Sequence, residues 1–182
     1  MKILKLTTLA LVLGAITDNP KVDAKNLPDI LELRKESTLL LVQVNPQDAT
    51  GYHNRGLARV QSGDLKGAIE DFNQALRLNP NLAEAYTKRG GARGLLGDMK
   101  GAIEDFNQAL RLNPNLAEAY ANRGVVRGQS GDMKGAIEDL NQALRLNPNL
   151  AEAYTNRGGA RGLLGDMKGA IEDLNQALRL NP

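Results

Sequence analysis

Apolar side chains recur along this chain with the period of an α-helix. The clearest run is Met99, Ala102, Ile103, Phe106, Ala109 and Leu110, spaced three and four residues apart so that all share one face. Asp98 stands just before it and can accept from the free N–H groups of a first turn. Asn113-Pro114 closes it, because the residue before proline is pushed out of helical geometry. A second helix is expected over residues 82–96, with Asn81 as N-cap and Glu84 completing a capping-box-like pair. Gly97 separates the two helices and reaches the left-handed conformation at no steric cost. So short a connection predicts an antiparallel pair.

The same text returns along the chain. Gly-Ala-Ile-Glu-Asp begins at Gly67, Gly101, Gly135 and Gly169, and Pro46, Pro80, Pro114, Pro148 and Pro182 keep the same 34-residue step. The units are 49–82, 83–116, 117–150 and 151–182. Units two and four differ only at Lys88/Asn156 and Phe106/Leu174 over their shared length, as duplication of a two-unit block would leave them. One helix pair cannot bury its own stripe, so such units stack on one another.

These positions carry a family resemblance. Tyr52, Gly56, Ala68, Phe72 and Pro80 in unit one, and Tyr86, Gly90, Ala102, Phe106 and Pro114 in unit two, match the tetratricopeptide repeat (TPR) pattern. Units three and four repeat it as Tyr120, Gly124, Ala136, Leu140 and Pro148, then Tyr154, Gly158, Ala170, Leu174 and Pro182. The resemblance implies an all-α fold: an α-solenoid of four helix-turn-helix units, preceded by an N-terminal capping helix.

In two respects the chain departs from the family. Arginines replace the usual apolar residues at Arg55 and Arg59, Arg89 and Arg93, Arg123 and Arg127, and Arg157 and Arg161. Each pair, four residues apart, shares a helix face. Buried guanidinium groups need partners, and the carboxylates that repeat in step are Glu70/Asp71, Glu104/Asp105, Glu138/Asp139 and Glu172/Asp173. Structural pairing is the expected role, against an arginine ladder for an acidic ligand. The second departure is glycine inside the first helices: Gly90, Gly91 and Gly94, repeated as Gly158, Gly159 and Gly162. Close helix approach accounts for these, against a groove floor left open for a ligand backbone.

The N-terminus differs in character. Lys2 and Lys5 precede an apolar stretch over 6–16, ended by Asp18, Asn19 and Pro20. That is the layout of a signal peptide, expected to occupy 1–24 and to send the protein to the periplasm or outside; without it the chain would be cytoplasmic. Residues 25–48, with Ile30, Leu31, Leu33 and the apolar run 39–42, read as the helical cap and linker.

Composition narrows the function. Lys plus Arg exceeds Asp plus Glu by only two, which argues against a nucleic-acid binder. With no cysteine, thiolate chemistry is excluded. His53 is the single histidine and has no nucleophile set beside it, so neither a catalytic triad nor a metal site is expected; it reads as an ordinary exposed residue. Glycines 91, 94 and 97 do not form a phosphate loop, since they lie within and at the end of a helix. No enzyme activity, cofactor or small-molecule substrate is expected.

By resemblance, the first helices line a concave face that takes a protein or peptide. Its positions are Thr50, His53, Asn54, Leu57 and Val60; Glu84, Thr87, Lys88, Gly91 and Gly94; Glu118, Ala121, Asn122, Val125 and Gly128; and Glu152, Thr155, Asn156, Gly159 and Gly162. The Lys/Arg set of a carboxylate clamp is missing from them. The alternative is a self-assembling repeat protein, a homo-oligomer joined through its C-terminal edge.

Overall fold

The computed structural model describes residues 46–181. The expected signal peptide (1–24), the body of the expected N-terminal cap and Pro182 lie outside the described residues. Among the described residues eight α-helices follow in order: α1 Ala49–Gln61, α2 Leu65–Leu78, α3 Ala83–Leu95, α4 Met99–Leu112, α5 Ala117–Gln129, α6 Met133–Leu146, α7 Ala151–Leu163 and α8 Met167–Leu180. Each odd-numbered helix pairs with the next even one, and α2, α4 and α6 each pack on the odd helix of the following unit.

Within each unit the turn is a Schellman motif. In unit two the N–H of Asp98 reaches the carbonyl of Arg93 at 2.9 Å and that of Gly97 reaches Gly94 at 3.0 Å. Gly97 takes φ +87°, the left-handed value this closure needs. Asp98 then caps α4, its Oδ1 accepting from the N–H of Gly101 at 2.9 Å. Asp64, Asp132 and Asp166 cap α2, α6 and α8 in the same way.

Between units the expectation needs correction. The N-cap of α3 is Leu82, with no side-chain cap bond, and not Asn81. The side chain that organises this turn is Asn79, whose Oδ1 accepts from the N–H of Asn81 at 3.1 Å. Leu82 packs instead against the core around Phe72, so burial of a leucine outweighs a cap worth about 1 kcal/mol. Of the odd-numbered helices only α1 has a capped start, with Asp48 Oδ1 accepting from the N–H of Gly51 at 2.7 Å.

The cores lie mostly between units. Phe72 packs with Ala85 and Tyr86 of unit two and with Leu82 at the junction; Phe106 with Ala119 and Tyr120 of unit three and with Leu116; Leu140 with Ala153 and Tyr154 of unit four and with Leu150. Glycine permits the close approach inside each pair: a Cβ on Gly56 would stand 2.7 Å from Phe72 Cε1, and one on Gly90 3.0 Å from Phe106 Cε1.

Candidate partner-binding groove

The stacking decides which helices face inward. Among the described residues, α1 touches α3, α3 touches α5 and α5 touches α7, whereas no two even-numbered helices meet. A right-angled stack would space both sets equally. Contact on one side alone means that the array bends toward the odd-numbered helices, and these line its inner face.

On that face two hollows repeat. One, of about 580 Å3, is lined by Gly91, Leu95, Met99, Phe106, Asn122 and Val125. The other, of about 290 Å3, is lined by Val125, Gln129, Met133, Leu140, Asn156 and Gly159. Each residue of the first set has its counterpart in the second one unit later. Val125 belongs to both, as floor of one and wall of the other.

The expected groove residues divide into three groups. Asn122, Val125, Thr155, Asn156, Gly91 and Gly159 line the hollows, with Gly94 and Gly128 beside them. A Cβ on Gly91 or Gly159 would meet nothing within 4 Å, so these two glycines answer no packing demand, unlike Gly90. Thr50, Asn54, Glu84, Glu118 and Glu152 are exposed, and Leu57, Val60, Ala121 and Gly162 half-buried. Lys88 and Glu118 bind each other across units, Nζ to Oε1 at 2.6 Å and to Oε2 at 2.9 Å. Thr87 is the exception: it is buried, and its Oγ1 donates to the carbonyl of Ala83 at 3.0 Å.

His53 also differs from expectation. It is half-buried, not exposed, because its ring tilts against Phe72 with centroids 5.8 Å apart. Desolvation lowers its pKa below the usual 6.5, opposed by hydrogen bonding to Asn54 and the charge of Glu84, while Lys88 lowers it further. The signal was present in the sequence, since His53 falls four residues before Leu57 on the helix.

The arginines are occupied. Arg89 clasps Asp105 through Nε to Oδ2 at 2.9 Å and Nη2 to Oδ1 at 2.5 Å. Arg93 adds Nη1 to the same Oδ2 at 2.9 Å. Arg89 Nη1 further donates to Asn73 Oδ1 of the preceding unit at 2.6 Å, and its guanidinium lies 5.3 Å from the Tyr86 ring centroid. Arg123 reaches Asn107, and Arg157 reaches Asn141, in the same manner. The Asp71 hydrogen bonds raise the pKa of Arg55 above its ordinary value. Of each expected Glu/Asp pair only the aspartate takes part; Asp71, Asp105, Asp139 and Asp173 are buried. This clasp fixes helix to helix and unit to unit, and it leaves no arginine ladder for an acidic ligand.

Among the described residues no three His, Asp or Glu side chains are placed to hold a metal ion. No described helix is long and apolar enough to cross a membrane.

Comparison with known proteins agrees with this architecture. Residues 56–97, 95–131 and 128–165 match a family model described as TPR repeat, and 151–182 match one described as Tetratricopeptide repeat. No curated relative matches the chain at a significant level. The solved structure titled "Crystal structure of MamA" is similar at TM-score 0.69 and 24% identity, over 82% of this chain and 87% of that one. MamA 41-end from Desulfovibrio magneticus RS-1 gives TM-score 0.70 at 22% identity, over 80% and 84%. The first TPR of Spaghetti (RPAP3), bound to the HSP90 peptide SRMEEVD, gives TM-score 0.64 at 26% identity, over 68% of this chain and 98% of that one. With family models matching from residue 56 to 182, the chain belongs to the tetratricopeptide repeat family.

Proposed function

We propose that this protein is a non-catalytic scaffold that holds an extended segment of another protein along the odd-numbered helices. The observation that carries this is the pair of hollows with matching linings one unit apart. A ligand that meets the same apolar floor and the same asparagine amide twice is an extended chain, not a compact molecule. Asn122 and Asn156 each offer a donor and an acceptor, which suit the backbone amides of such a chain. Gly91 and Gly159 leave room for its close approach. The peptide-bound RPAP3 repeat shows that this fold can take a peptide in that protein.

The near-balance of charge and the arginines' engagement with aspartate favour a protein partner over nucleic acid, and the openness of the hollows disfavours a small substrate. If the first 24 residues direct export, the partner is met outside the cytoplasm; the N-terminal residue of protein from the native host decides that point. Capture of partners from the matching compartment, repeated with Val125→Arg, tests the groove. The variant fills both hollows at once, so it should lose the partner while its helical content and melting stay close to wild type. Retention of the partner by a folded Val125→Arg protein would rule the groove out.

A second reading rests on a different observation. The outer face of α8 is apolar and uncovered by any described residue: Met167, Ile171, Leu174 and Leu178 are all exposed. Association through this edge is the alternative function.

A further inference from the structure

The four exposed residues of α8 are not scattered. Met167, Ile171, Leu174 and Leu178 follow one another at steps of four, three and four, the alternation of a coiled-coil seam. Their exposures are 62%, 60%, 42% and 64%. The seam is also symmetric about its own midpoint. When a second α8 is laid antiparallel across it, Met167 meets the partner copy's Leu178 and Ile171 meets the partner copy's Leu174. The reverse pairs then form by symmetry, giving four apolar contacts in two equivalent halves.

Resting on the reading that this edge associates, we infer that α8 forms a two-fold antiparallel helix pair with α8 of a second copy of this chain. A two-fold interface uses one patch twice and therefore demands a self-complementary patch, which this seam is. Its polar flank fits as well. Lys168 and Asn175 lie on one side of the seam, both exposed, and antiparallel pairing sets each Lys168 beside the other copy's Asn175, whose amide oxygen accepts from the ammonium. Antiparallel helices also place each N-terminus, with its partial positive charge, beside the C-terminus of the other. Glu172 points away from the seam, so its negative charge is not brought against its own copy.

Area sets the strength. The four side chains expose roughly 400 Å2 per copy, so a pair that covers them buries about 800 Å2 of apolar surface, below the roughly 1,200 Å2 at which stable specific interfaces begin. A reversible dimer is expected, not an obligate one. Stacking α8 on α1 of another copy is the competing geometry. It is heterologous and does not close, so it would build chains of copies.

Sedimentation velocity of the full chain over a range of concentrations, combined with engineered disulfides, tests the inference. The chain has no cysteine of its own, so each introduced thiol reports one contact. The expected result is a monomer–dimer equilibrium that stops at the dimer and is weakened at least about tenfold by Ile171→Lys. Oxidation should link a Met167→Cys copy to a Leu178→Cys copy in a mixture, and neither variant to itself, since the two positions lie about 16 Å apart along the helix. Self-linking of Met167→Cys, or a ladder of species beyond the dimer, would overturn the antiparallel pair while leaving edge association standing. A chain that stays monomeric at high micromolar concentration would overturn both.

Discussion

Helices α6 and α8 have the same sequence in all 14 residues, yet their surroundings differ. Leu140 is 1% exposed and Leu144 7%, whereas their counterparts Leu174 and Leu178 are 42% and 64% exposed. The difference is α7, which with the preceding Leu150 covers α6 through Ala153 and Tyr154; no described helix covers α8. Identical helices thus become core or surface according to what stacks on them. In a repeat array, burial belongs to the interface between units more than to the unit. The aspartate clasp behaves differently. Asp139 and Asp173 are equally buried, because Arg123 with Arg127, and Arg157 with Arg161, come from the same unit as the aspartate they hold. The Arg–Asp clasp is a property of the unit; the apolar core, like the bonds that Arg123 and Arg157 send to asparagines of the preceding unit, is a property of the stack.

Removing the clasp is the largest perturbation of that comparison. Asp139→Ala leaves two guanidinium groups facing a buried site without their anion, a loss of about 3 kcal/mol or more. Because unit three lies inside the array, the whole melting curve should move to lower denaturant. Asp173→Ala removes the same contacts from the last unit and should melt that unit alone. Chemical denaturation followed by circular dichroism, with hydrogen exchange to locate the loss, separates the two. Equal, single-step losses would show that the array unfolds as one block and that interior and end are not energetically distinct.

The clasp also marks what the sequence disclosed and what it did not. Helix positions, the glycine turns and the aspartate caps of the even helices follow from local rules, and the structure has them at the expected residues. The role of aspartate over glutamate is legible in the spacing. Asp105 falls three residues after Ala102 and four before Ala109, on the buried face, while Glu104 is rotated about 100° away. The N-cap at Leu82 was not legible from local pattern, because Asn81 is the better capping residue. What displaces it is the packing of Leu82 against the core around Phe72 of the preceding helix, a contact that no window of one helix contains. For the hollows, the register of the odd helices was legible and gave Gly91, Asn122, Val125, Thr155, Asn156 and Gly159, but not Leu95, Met99, Phe106, Gln129, Met133 or Leu140, which come from helix ends and from the even helices. The burial of Thr87 and the Lys88–Glu118 bond depend on how one unit sits on the next.

A smaller change sharpens the comparison at a single atom. A Cβ on Gly124 would stand 2.9 Å from Leu140 Cγ, and one on Gly158 3.3 Å from Leu174 Cγ. Leu140 is packed and cannot retreat; Leu174 is free on its outer side. Gly124→Ala should therefore cost about 1–3 kcal/mol by overpacking, and Gly158→Ala clearly less. At the neighbouring Gly159 nothing stands in the way of a Cβ, and Gly159→Ala should raise stability by up to about 1 kcal/mol through helix propensity. Thermal melts of the three variants rank them. A Gly158→Ala loss as large as that of Gly124→Ala would mean that α8 is held as firmly as α6. A Gly159→Ala gain accompanied by weaker partner capture would place that glycine under functional constraint.

The smallest effect is at the opposite end of the array, where His53 of α1 lies half-buried against Phe72. Later units carry Thr87, Ala121 and Thr155 at its position, so this one side chain reports on the first unit alone. Desolvation holds its pKa below the usual 6.5. The unfolded chain therefore takes up the proton at higher pH than the native protein does. The contribution of the neutral, packed ring is present in full above pH 6.5 and is lost as pH falls through the lower native value. Carboxylates elsewhere add their own acid dependence, so the informative quantity is the difference between wild type and His53→Thr, which takes the residue found in units two and four. Wild type should lose stability more steeply than the variant below pH 6.5, with the two running parallel above it. Proton NMR of the single imidazole gives the native value directly. A pKa at or above 6.5, or identical pH profiles for the two proteins, would show that α1 does not hold His53 against Phe72 in solution.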